Sequence, residues 1–98
     1  MTAVVLDVEP QEAVEVVDQA PLRPSDRVCG RALSLAVLGA GVEEAATELL
    51  ELAHGNPHVI GQARDRCVRL VRANPDSPHA DRALALATHA WLSAIAAA

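Results

Sequence analysis

The sequence predicts an all-α fold: a small bundle of four to five short helices with an extended N-terminal arm. Two observations predict it. Apolar residues recur at helical spacing through most of residues 25–98. Two breaks, His54-Gly55-Asn56-Pro57 and Asn74-Pro75-Asp76-Ser77-Pro78, set helix-stop chemistry directly beside helix-start chemistry.

Taken in order, the helices are expected at about 10–19, 26–38, 42–54, 57–73 and 78–97. Residues 1–24 read as an acidic arm. Ala3 to Val8 forms a short β-branched strand or extended piece, and Ala13, Val14 and Val17 line one side of a short helix. Pro21 and Pro24 make the linker to a helical domain over 25–98. From Ser25 to Leu38, Arg27, Arg31 and Ser34 form a polar stripe. Val28, Cys29, Ala32, Leu33, Leu35 and Ala36 cover the other side. Gly39-Ala40-Gly41 then breaks the chain. From Val42 to His54, Glu44, Glu48 and Glu51 share one face, opposite Ala45, Ala46, Leu49, Leu52 and Ala53. Glu43 and Glu44 suit the positive end of that helix's dipole.

The next turn is short. Gly55 suits a left-handed C′ position, Asn56 an N-cap and Pro57 the first helical position. A connection this brief is expected to hold its two helices side by side. From Pro57 to Ala73 the apolar stripe is Ile60, Ala63, Cys67, Leu70 and Val71. The residue before a proline avoids helical geometry, so this helix should stop near Ala73. Ser77 and Pro78 start the last one. There, Leu84, Ala87, Trp91, Ala94 and Ala98 recur at 3,4,3,4 spacing, and the opposite face is only weakly polar. A helix apolar nearly all round is buried or docks on a partner.

Composition bounds the rest. The 98 residues suffice for one domain. Twenty are Ala, and Trp91 is the lone aromatic, so a core of Leu, Val and Ala must rely on close helix approach. Arg supplies every cationic side chain, Lys is absent, and the overall bias is that of a high-GC bacterial genome. The net charge of −5 argues against general polyanion binding. Residues 1–22 hold five acids and no Arg, residues 42–54 four acids and no Arg, and residues 64–72 four Arg against one Asp. No basic leader opens MTAVVLDVEP, and no uncharged run reaches the ~18–20 apolar residues of a membrane span. A cytoplasmic setting with reduced Cys29 and Cys67 is therefore expected, without a membrane partner.

Several constellations carry candidate chemistry. Glu51-Leu52-Ala53-His54 is a Glu-x-x-His unit of the type used in pairs by di-iron bundles. One copy per chain would need a dimer to complete it, and a solvated acidic face is the plainer explanation of Glu51 and His54. Helices at 42–54 and 57–73 about a four-residue turn have helix-turn-helix spacing, with His58, Gln62, Arg66 and Arg69 available to nucleic acid. The four acids of the first helix oppose that reading. Cys29 and Cys67 lie on apolar faces and His79 and His89 have no partners in sequence, so no catalytic spacing emerges, and no cofactor is expected. The tail Ser93-Ala94-Ile95-Ala96-Ala97-Ala98 resembles ends that bacterial unfoldase–proteases recognise, but an alanine-rich chain yields such an end cheaply.

The function these features favour is non-enzymatic protein–protein interaction: an adaptor, regulator or accessory subunit that binds a protein partner or a second copy of itself. Leu84, Ala87, Trp91, Ala94 and Ile95 are the expected contact set. Glu44, Glu48 and Glu51 are expected to pair with Arg64, Arg66, Arg69 and Arg72, within or between chains. An exposed bridge contributes only about 0–1 kcal/mol, so such pairing selects register more than it stabilises.

Overall fold

The computed structural model describes residues 23–98. Its helices are α1 (Pro24–Leu38), α2 (Val42–Leu52), α3 (Pro57–Ala73) and α4 (Pro78–Ala97), and no strand occurs among the described residues. They form the expected all-α bundle. The helix expected over 10–19 and the N-terminal arm lie outside the described residues.

The helix boundaries follow local chemistry. Pro24 occupies the first turn of α1, so that helix opens two residues earlier than expected. Proline fits there because its fixed φ is helical and its missing N–H would be unpaired anyway. Gly39, at φ 75°, ends α1. Its N–H donates to Ala36 O (3.2 Å), and the Ala40 N–H reaches Leu35 O (3.0 Å). At the start of α3 the Asn56 side-chain oxygen accepts from the His58 N–H at 2.9 Å. At the start of α4 Ser77 Oγ accepts from the Ala80 N–H at 3.2 Å. Both caps match the sequence.

The end of α2 departs from expectation. The helix stops at Leu52, not at residue 54, and His54 takes the left-handed conformation (φ 54°) ahead of Gly55 (φ 71°). The His54 N–H donates to Glu51 O (3.1 Å) and the Gly55 N–H to Leu50 O (2.9 Å). Two left-handed residues therefore turn the chain where one was expected.

The short turn does not bring α2 and α3 side by side. Of all helix pairs these two touch least. Each instead lays its apolar face on α1 and α4. A tight turn fixes where two helices meet end to end, but the direction each then takes is set by where its apolar side finds cover.

The last helix, α4, is the centre. It packs against all three others, most extensively against α3. Ala80, Ala83, Ala87, Ala90 and Ala94 are each at most 3% exposed. They recur at 3,4,3,4 spacing and form one continuous seam. This corrects the expected stripe: Ala87 and Ala94 belong to it, but Leu84 and Trp91 flank it half-buried. Small side chains occupy the middle because they allow neighbouring backbones to approach closely. Larger side chains fill the space around the seam, with Val28 from α1, Leu49 from α2, Ile60 and Cys67 from α3, and Leu86 from α4 all fully buried. No described helix is long and apolar enough to cross a membrane.

Extra volume at the seam should force the helices apart. Ala87→Leu is expected to cost about 1–3 kcal/mol through overpacking, read as a lowered urea midpoint. A midpoint equal to wild type would contradict the close-packed seam.

Candidate functional site

The expected acid–arginine pairing does not form within the described chain. Because α2 and α3 diverge, their charged faces do not meet, and α1 supplies the partners instead. Glu48 pairs with Arg31 of α1, which holds the Arg31 guanidinium pKa above its usual value. Arg66 Nε approaches Asp26 Oδ1 of α1 at 2.7 Å, close enough for an ion pair though poorly aligned as a hydrogen bond. Arg64 lies 5.0 Å from the centre of the Trp91 ring and 3.6 Å from the Asp65 carboxylate. Glu44, Glu51, Arg69 and Arg72 are exposed, with no ion pair among the described residues. Sequence reasoning missed Asp26 and Arg31 as partners. Both were visible on α1, but only the tertiary arrangement assigns their neighbours.

The expected contact set also divides. Ala87 and Ala94 are buried inside the chain's own bundle and are not available to a partner. Their burial is the direct result of α4 being the central helix. Ile95 remains 46% exposed, and Leu84 and Trp91 are half-buried. Trp91 is seated by Gly61: a Cβ at that position would stand 3.0 Å from the indole Nε1. Arg64 covers the ring face, a cation–π contact of about 0.5–1 kcal/mol. Pro57, His58, Gln62 and Asp65 complete the small hollow beside the indole.

The other candidates fall as follows. Gln62, Arg66 and Arg69 line a shallow polar cleft with Arg23, Ser25 and Asp65, while His58 lies apart near Trp91. Arg23 thus joins the cationic face. The helix-turn-helix reading relies on α2 and α3 bracing one another, and here they barely touch. Glu51 and His54 are both exposed, and no cluster of three potential metal ligands occurs among the described residues. His89 Nε2 lies 3.3 Å from Glu43 Oε2 of α2, and His79 is exposed. The terminal Ala96, Ala97 and Ala98 are exposed.

Two features stand out that spacing alone did not reveal. The first is an open, largely apolar surface at the C-terminal end of α1, formed by Arg31, Leu33, Ser34, Val37 and Leu38. The second is the pair of cysteines. Separated by 38 positions, Cys29 of α1 and Cys67 of α3 bring their sulfurs to 3.8 Å, buried and unbonded. The hydrogen bond between the two sulfurs, with the Arg66 and Arg69 guanidinium groups nearby, lowers the Cys29 pKa against burial and Asp26. Cys67 is pushed upward by the same hydrogen bond and by burial. The pair therefore releases one proton readily and retains the second.

Comparison with known proteins finds no match, whether among family models, curated proteins or solved structures.

The Trp91 seat is testable on its own. Gly61→Val fills the space the indole occupies, and should shift Trp91 emission to the red, increase iodide quenching and cost about 1–3 kcal/mol. Unchanged emission would show that Gly61 does not seat the ring.

Proposed function

We propose that the chain is a non-enzymatic helical interaction module that self-associates through the C-terminal end of α1. One observation carries the reading. Val37 and Leu38 are 60% and 73% exposed and form one open apolar surface with Leu33. Isolated exposed leucines are ordinary, but two adjacent large apolar side chains on one continuous apolar surface favour docking.

The magnitudes favour a second copy as occupant. Fully burying an exposed Val or Leu contributes about 1.5–3 kcal/mol, so covering the 60% and 73% of Val37 and Leu38 still exposed contributes about 2–4 kcal/mol together. Association costs an estimated 4–15 kcal/mol, which one such pair does not exceed. A two-fold contact uses the same patch twice and doubles the gain without any further surface. The expected contact set is thereby revised: Leu33, Val37 and Leu38 take the place of Ala87 and Ala94, with exposed Leu92 and Ile95 on α4 as secondary apolar positions. No cofactor enters this reading, and its setting is the cytoplasm, consistent with two free thiols.

Light scattering across a dilution series tests it. Wild type should give a dimer mass that falls towards monomer on dilution. Leu38→Asp should remain monomeric throughout while keeping the helical circular-dichroism spectrum and urea midpoint. A wild-type monomer mass up to about 1 mM would exclude functional self-association, since so weak a contact is worth only about 4 kcal/mol.

A further inference from the structure

We infer that Cys29 and Cys67 form a peroxide-oxidisable dithiol site, with Cys29 as the reacting thiol and Cys67 as the resolving one. These are the only two cysteines in the chain. The fold brings them together from different helices, Sγ to Sγ at 3.8 Å. Closing to the ~2.05 Å of a disulfide requires the two side chains together to move less than 2 Å.

The two sulfurs are not equivalent. Cys67 is fully buried, whereas Cys29 retains 6% exposure and lines a cleft of about 290 Å³ with Arg66, Arg69, Leu70 and Ala73. That opening defines both the order of events and the class of reagent. A sulfur with so little exposure suits an oxidant little larger than water, and hydrogen peroxide is of that size. The guanidinium groups of Arg66 and Arg69 stabilise a thiolate at Cys29 and can donate hydrogen bonds to a departing oxygen. The hydrogen bond with Cys67 and the two guanidinium groups hold the Cys29 thiol below the usual cysteine range, so it supplies more thiolate at neutral pH than an ordinary thiol does. Apolar Leu70 and Ala73 complete the wall and leave the arginines as its polar part.

The chemistry balances. The Cys29 thiolate attacks one peroxide oxygen, the O–O bond breaks, and a sulfenic acid forms as hydroxide leaves and takes up the proton released from Cys29. Cys67, already 3.8 Å away, attacks the Cys29 sulfur. The S–O bond breaks, the disulfide forms, and the departing hydroxide takes the Cys67 proton as water. In sum, two thiols and one peroxide give one disulfide and two waters, with two electrons passing from the chain to peroxide. The product ties α1 to α3 covalently through the middle of the bundle.

The test treats the reduced full chain with hydrogen peroxide, then denatures it and labels free thiols. Intact mass should show loss of two hydrogens, no label and no covalent dimer, and a reducing agent should restore both thiols. Cys67→Ser should stop at a sulfenic acid trapped by dimedone. Cys29→Ser should lose its remaining thiol several-fold more slowly than Cys67→Ser does, because Cys67 is fully buried and its thiol is pushed upward. Two labelled thiols in treated wild type would overturn the inference, as would a disulfide found only between chains. Equal reaction rates of the two serine variants would overturn the assignment of roles. If either variant loses its helical spectrum, the wild-type mass decides.

Discussion

Close approach to α4 is the constraint on which the other helices depend. Ala80, Ala83, Ala87, Ala90 and Ala94 remove side-chain bulk along one line, so α1, α2 and α3 can all rest on the same helix. Alanine buries little surface, so the seam's stabilisation comes from many short contacts between backbones and from the larger side chains packed around it. Leu49, Ile60, Leu86 and Val28 supply that bulk, and all are fully buried. The arrangement explains how a chain with one aromatic residue holds a core at all. It also explains why that residue, Trp91, lies beside the seam and not in it.

The same constraint separates what was legible in the sequence from what was not. Helix punctuation is local chemistry, and Asn56-Pro57 and Ser77-Pro78 cap their helices as their types suggest. Which side of α4 is innermost was harder to read. Hydrophobic weight drew the stripe towards Leu84 and Trp91, whereas close packing selected the alanines one position away. The divergence of α2 and α3 was hidden for a related reason. Turn length limits distance between helix ends, but cover for the apolar faces of Ala45, Leu49, Ile60 and Ala63 determines direction.

Once the helices take those directions, the charged and thiol groups follow. Glu48 and Arg66 meet Arg31 and Asp26 because α1, not the sequence neighbour, lies beside each helix. The pairing of α1 with α3 that gives Arg66 its carboxylate also places Cys29 against Cys67. No spacing rule links positions 38 apart on separate helices, so the cysteines read individually as core residues. The exposed end of α1 is the complementary case. Val37 and Leu38 lie on the side of α1 opposite buried Leu35 and Ala36, just where Gly39 ends the helix, and the described helices leave them exposed.

Amide hydrogen exchange tests the central role of α4 most directly, because it ranks helices by how much of the structure must open to release them. If α4 is the shared core, the amides of Ala83 through Ala94 should exchange last and only through global unfolding, while those of α2 should open earlier. Exchange of that stretch as rapid as in α2 would show that the alanine seam does not hold the bundle together.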